Sequence, residues 1–237
     1  MATTTNTGTI LVGVTLDGGD SLINTATGSV TGPGIAVLGL GGTTAATVDN
    51  FGIILGASQP AVELLSGGVV LNRAAATISA AGAIGVTISG GKGTVRNAGT
   101  IAGATSAVLL AAGYANRVIV DPGAAFTGTV QGGNTLFNNT LNSTLISTLE
   151  LASGATTGTL TGLNSQFVNF QSVTIDAGGS WVMDATNTGT ANQNVAAFGT
   201  LTNLASFNRT IVASNNGVVS NSTTGTILSV LSPSYSP

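Results

Sequence analysis

The sequence predicts an all-β fold, a right-handed parallel β-helix (β-solenoid) with about 22–26 residues per rung. Three observations predict it. Diglycines recur at Gly18-Gly19, Gly41-Gly42, Gly67-Gly68 and Gly90-Gly91, so a unit returns after 23, 26 and 23 residues. Only 5% of the 237 residues are charged, which leaves no helix face that ion pairs could lace. Val, Ile, Thr, Leu, Ala, Gly and Asn dominate, and that composition suits short strands joined by turns.

Each unit runs in the same order. After the diglycine comes an apolar run that ends on asparagine: Leu22-Ile23-Asn24, Val48-Asp49-Asn50, Val70-Leu71-Asn72 and Val95-Arg96-Asn97. A glycine and a second strand follow, as in Phe51-Gly52-Ile53-Ile54-Leu55-Gly56 and Ala98-Gly99-Thr100-Ile101-Ala102-Gly103. A third apolar run closes the unit, for example Ile84 to Ile88 or Ala107 to Leu110. Strands this short bury no core within one unit, whereas stacking in register sets each Val, Ile or Leu on its equivalent one rung away. Val86 and Val108 are expected to be such neighbours, and Asn50, Asn72 and Asn97 to form a structural amide ladder at the bend. At the spacing of paired strands, roughly ten rungs make a rod about 45–50 Å long.

Residues 1–130 form the Asn/Gly-repeat β-helix. Residues 131–237 are read as a continuing β-solenoid with an aromatic-rich region suited to capping. Thr148 to Gly162 keeps the period of two, and Phe167 to Met183 holds the only Trp, a ring large enough to plug a wide rung. Asn134 to Ser147 reads as a loop or irregular rung, and the tail from Ser232 to Pro237 as frayed. Thr3 to Val14 alternates as strand from the outset.

Composition excludes several classes. With eight acidic and five basic residues, a nucleic-acid backbone has no cluster of cations to meet. No run reaches the ~18 apolar residues that span a bilayer as a helix. No N-terminal signal peptide is visible. There is no histidine or cysteine, so Ser-His-Asp and Cys-His mechanisms and ordinary zinc sites are absent, and no cofactor is expected. Leucine-rich repeats share the period but need a Leu-x-x-Leu-x-Leu pattern and a helical segment, both missing here.

Asn97-Ala-Gly-Thr-Ile-Ala-Gly103 is a full N-x-G-T-I-x-G unit, and Asn50 to Gly56 is one with Ile53 in place of Thr. These units resemble the passenger regions of bacterial autotransporter-like and large repetitive surface proteins. Phe167-Val-Asn-Phe, Val173 to Trp181 and Phe198-Gly-Thr-Leu-Thr-Asn203 look like blocks of the same proteins, so the resemblance covers most of the chain. It implies export, surface display and an adhesive or matrix role. The chain contains no β-barrel translocator of the kind those proteins carry.

Other constellations are weaker. Gly90-Gly91-Lys92-Gly93-Thr94 has neither the leading glycine nor the Ser or Thr of a phosphate loop, so Lys92 reads as a corner residue. Asp17-Gly-Gly-Asp20 does not recur, as a calcium-binding nonapeptide would. Asp176 and Asp184 flank Trp181, which makes a paired-carboxylate glycosidase conceivable. Nothing basic lies nearby in sequence to orient a sugar, however, and a separation of eight residues is compatible with different faces. Arg73, Arg96 and Arg117 each adjoin an asparagine about one rung apart, so they form either a stripe for acidic polysaccharide or three isolated solubilising charges. Thr127/Thr129, Thr159/Thr161 and Thr200/Thr202 would have to share columns to build an ice-binding face. Sequons stand at Asn138, Asn142, Asn208 and Asn221.

The expected function is structural and not enzymatic: an extracellular or cell-surface fibre subunit or adhesin stalk that assembles end to end. A carbohydrate- or ice-binding module on a flat Thr/Asn face is the alternative, and a polysaccharide lyase-like enzyme the third. Surface polysaccharide is the other partner considered.

Overall fold

The computed structural model describes residues 1–135, 145–190 and 192–231. The sequons at Asn138 and Asn142, the side chain of Asn208, most of the 134–147 segment and the tail from Ser232 lie outside the described residues. Within them the chain is an all-β, helix-free parallel β-solenoid of about 9 turns.

One sheet of 11 strands runs the length of the body. It begins with Thr3–Asn6, Ser21–Asn24, Ala46–Asn50, Gly68–Asn72 and Gly93–Asn97 and ends with Thr226–Leu231. A second 11-stranded sheet supplies two further sides of the early coils, joined through the long bent strand Thr100–Leu110. A third sheet, of four strands, runs from Gly158–Leu160 through Ser180–Met183 and Thr200–Asn203 to Val218–Asn221. The N-terminal stretch expected as one alternating strand is broken into Thr3–Asn6, Thr9–Ile10 and Val14–Leu16, because it wraps a full coil.

The core follows from the strand period. Alternate side chains point inward, and parallel stacking converts each inward position into a column. Val14, Val37, Val62, Val86, Val108 and Val130 form one column, which ends on Phe167. A second runs Val30, Ile54, Ile78, Ile101 and Phe126. A third, on the long sheet, passes from Leu22 through Val48, Val70, Val95, Val118, Leu149, Val173 and Val195 to Ile211. In the later coils Trp181, Phe170 and Phe207 are the largest fully buried side chains, and the Trp181 indole N–H donates to Ala152 O at 2.8 Å.

Coil length varies more than the diglycine spacing suggests. Asn6 and Asn24 are 18 residues apart in stacked positions, and the next three steps are 26, 22 and 25. Further on, Val120 lies beside Leu151 and Ala197 beside Ala213, so the steps there are 31 and 16 residues. The variation sits at the corners. After Asn24 and Asn72 the chain takes a wide bend, closed by Gly28 N to Thr25 O and Ala76 N to Arg73 O. After Asn50 and Asn97 it takes a tight one and lies against the wide bend of the preceding coil. A Cβ on Gly52 would stand 2.2 Å from Gly28 O, and one on Gly99 2.2 Å from Ala76 O. Glycine is therefore required at both tight corners for close approach.

Candidate functional site

Because the coils stack in register, a polar residue used once per coil becomes a line of polar groups along the body. The longest line is an amide ladder at the exit of the long sheet. Asn6 Nδ2 donates to Asn24 Oδ1, Asn24 to Asn50, Asn50 to Asn72 and Asn72 to Asn97, at 2.8, 2.8, 2.9 and 2.8 Å. The amides also tie bends within and between coils: Asn50 Nδ2 reaches Gly52 O in its own bend and Thr77 O in the next coil, and Asn72 Nδ2 reaches Ala76 O in its own bend and Thr100 O in the next. All five side chains are buried, so these bonds replace the water the amides would otherwise need. The ladder stops where Val120 takes the position beside Asn97. A second, shorter one joins Asn203 Nδ2 to Asn221 Oδ1 at 2.9 Å, now on the third sheet. The repeat asparagine of the first coils marks the long ladder. Nothing in the local sequence marks the change of sheet.

The outer face of the long sheet carries most of the charge. Asp49, Leu71, Arg96, Ile119 and Glu150 follow one another in one column. Arg73 grips Asp49 through Nε and Nη2 at 2.6 and 3.0 Å, and its guanidinium lies 5.3 Å from the centre of the Phe51 ring. Arg96 grips Asp121 the same way, at 2.8 and 2.6 Å. Arg117 donates to Glu150 from Nε at 2.8 Å and also from Nη2. Hydrogen bonds to Asp49 and Asp121 hold Arg73 and Arg96 above the usual guanidinium range. This corrects the arginine-stripe reading: each guanidinium is already matched by a carboxylate one coil away, so the stripe is not a free basic surface. Exposed pairs of this kind contribute at most about 1 kcal/mol each.

Asp176 is the surplus carboxylate of this face. Desolvation, then the charge of Glu150 and a hydrogen bond with it, push Asp176 up to about 6. A carboxyl raised in the folded state stabilises the fold below its unfolded value, and that contribution is lost as pH rises through about 6. The thermal midpoint is therefore expected to rise on acidification from pH 7 to about 5, and Asp176→Asn to flatten that rise. Calorimetry of both proteins across this window checks it, and an equal rise in the variant would assign the effect elsewhere.

The pair Asp176 and Asp184 does not make one site. Asp176 follows Ser172–Ile175 at the exit of the long sheet, while Asp184 follows Ser180–Met183 at the exit of the third. Asp184 is tied into a turn by Thr186 and accepts from Thr161 Oγ1 at 2.7 Å. Burial acts to raise Asp184, but these hydrogen bonds outweigh it and hold the carboxyl below its usual range. Trp181 between them is buried. Asp20 N closes a turn on Asp17 O, and among the described residues no three acidic side chains gather as metal ligands. The threonine pairs do not line up over consecutive coils. Thr127 stacks on Ala102 and Thr129 on Ser106, across a register shift, and Thr202 is separated from Thr159 by Val182.

Among the described residues the ladders break beside Ala125–Gln131. The first half of Ala125–Gln131 pairs with Thr100–Leu110 behind it, but the next coil's Gly158–Leu160 pairs forward with Ser180–Met183 instead of back. Between them lies a cleft of about 120 Å³, lined by Val120, Leu160 and Phe167 at the base, with Phe126, Thr159, Thr161 and Gln166 around it. Phe126, last of the isoleucine column, is left half-buried and meets Phe167 edge to face at 5.4 Å. Gln166 Nε2 donates to Phe126 O and Gly128 O at 3.0 and 3.2 Å, so a side chain covers the strand edge that a neighbouring strand would have paired.

Comparison with protein-family models, with curated proteins and with solved structures finds no match to this chain.

Proposed function

We propose that the chain is a structural element of an exported surface protein, a β-helical fibre subunit or adhesin stalk that acts through rigidity and surface contact. The observation that carries this reading is the continuous sheet of 11 parallel strands, in register except for a shift at its last pair, which makes one rod about 48 Å long by the spacing of paired strands. The polar groups of its repeat positions are spent internally: the ladder amides on one another and on the corners, and Arg73, Arg96 and Arg117 on carboxylates of neighbouring coils. Such a design favours persistence of shape over exchange with a substrate. The N-x-G-T-I-x-G units, similar to those of autotransporter-like passengers, support a place outside the cell or on its surface. A non-enzymatic role is supported by the separation of Asp176 and Asp184 on different sheets.

End-to-end stacking of copies belongs to the same proposal. Thr226–Leu231 exposes Leu228, Val230 and Leu231, and Val230 continues the inward column of Ile211. An apolar layer half open to solvent favours further parallel pairing, and no lysine on that strand discourages it. Negative-stain microscopy and sedimentation velocity at micromolar protein test this. Rods of constant width that lengthen with concentration are expected. A monodisperse 23.0 kDa species that never forms rods would remove the fibre-subunit reading.

A further inference from the structure

We infer that the cleft between strands Ala125–Gln131 and Gly158–Leu160 binds one neutral pyranose ring, such as a terminal or branching residue of a glycan. The inference does not depend on the rod reading and adds a binding site to it.

Size comes first. A dry cavity of about 150 Å³ encloses benzene. A cleft of about 120 Å³ therefore seats only the apolar face of one pyranose ring and leaves its hydroxyl equator at the open mouth, with no room for a chain of rings. Chemistry comes second. A pyranose has an apolar face of C–H groups and an equator of hydroxyls. The cleft has an apolar base of Val120, Leu160 and Phe167 with the half-buried Phe126 ring, bordered by two hydroxyls and an amide. Thr159 is exposed, and its hydroxyl has no partner among the described residues. Gln166 spends its Nε2 on two carbonyls, which leaves Oε1 to accept from a ligand hydroxyl. Thr161 Oγ1 donates to Asp184, so toward a ligand it serves as an acceptor.

Charge comes third. No ionisable residue lines the cleft, so a carboxylated or sulfated sugar would lose water without gaining a counter-charge. An extended peptide is disfavoured for a separate reason. Adding a strand requires the carbonyls of the open edge, and Gln166 already occupies those of Phe126 and Gly128.

The test is NMR titration of the isotope-labelled full chain with methyl glucopyranoside, methyl galactopyranoside and methyl mannopyranoside. At least one is expected to shift Phe126, Thr159, Thr161 and Gln166 together while resonances of Asn6, Asn24 and Asn50, at the far end of the amide ladder, stay still. Thr159→Val, on an exposed position that leaves the core intact, is expected to weaken binding about tenfold, the worth of one neutral hydrogen bond. Phe126→Leu keeps the position apolar but removes the ring and is expected to weaken binding as well; a thermal midpoint for each variant shows that it is folded. Four results overturn the inference: no shift in the cleft with any pyranoside, unchanged affinity in folded Thr159→Val, equal binding of glucuronate, or equal binding of cyclohexanol, which would make the cleft merely apolar.

Discussion

Val86→Asp is expected to unfold the coils around it, lowering stability by several kcal/mol. Val86 is fully buried in the centre of the valine column, with Val62 on one side and Val108 on the other. The buried cluster around that column is made of apolar side chains, so the carboxylate would be neither paired nor hydrated. An uncompensated charge of this kind costs about 3–5 kcal/mol, and the aliphatic packing against both neighbours goes with it. In a stacked fold each coil is held mainly by its two neighbours, so the damage spreads along the rod through those interfaces. Thr87→Ser, one residue on and pointing outward, is the matched control and should be within about 0.5 kcal/mol of the parent. Chemical denaturation followed by far-UV circular dichroism measures both. A Val86→Asp protein with the parent's midpoint would mean that the column is not the core.

The first half of the fold is legible in the sequence because its signals are periodic. Diglycines and inward valines return at a nearly constant interval and the repeat asparagines at a looser one, and a parallel stack is the arrangement that makes such an interval useful. The ion pairs obey the same logic but emerge only when residues are compared across one period. Arg73 stands 24 residues after Asp49, and Arg96 stands 25 before Asp121, each one coil away. Taken with their sequence neighbours alone the arginines make a basic stripe; paired across one period they make a neutral one. Beyond Val120 the interval ceases to be constant, and the 31- and 16-residue steps carry no marker that a count could find. The cleft is illegible for a deeper reason. It exists because two strands fail to pair, and Phe126 and Gln166 look like any other strand and turn residues until that gap places them together.

Asn72→Asp isolates what the amide ladder contributes, because it changes almost no volume and reverses one hydrogen-bond donor. Asn72 accepts from Asn50 through Oδ1 and donates through Nδ2 to Asn97 Oδ1, Ala76 O and Thr100 O. An ionised carboxylate keeps the first bond but turns an acceptor toward three oxygens, in a position 1% exposed. The expected loss at pH 7 is about 3–5 kcal/mol, larger than the roughly 1–3 kcal/mol for a neutral deletion such as Asn72→Ala. Acid should repair it. Burial and the facing oxygens raise the introduced carboxyl above its unfolded value, so its protonated form is favoured in the fold. Once protonated, the carboxyl has a proton to donate to one of those oxygens. Stability of Asn72→Asp should therefore recover as pH falls from about 7 toward 4, while Asn72→Ala stays parallel to the parent over that range. Thermal midpoints of the three proteins against pH decide it. Parallel curves for Asn72→Asp and Asn72→Ala would show that the ladder contributes packing alone, without directed hydrogen bonds.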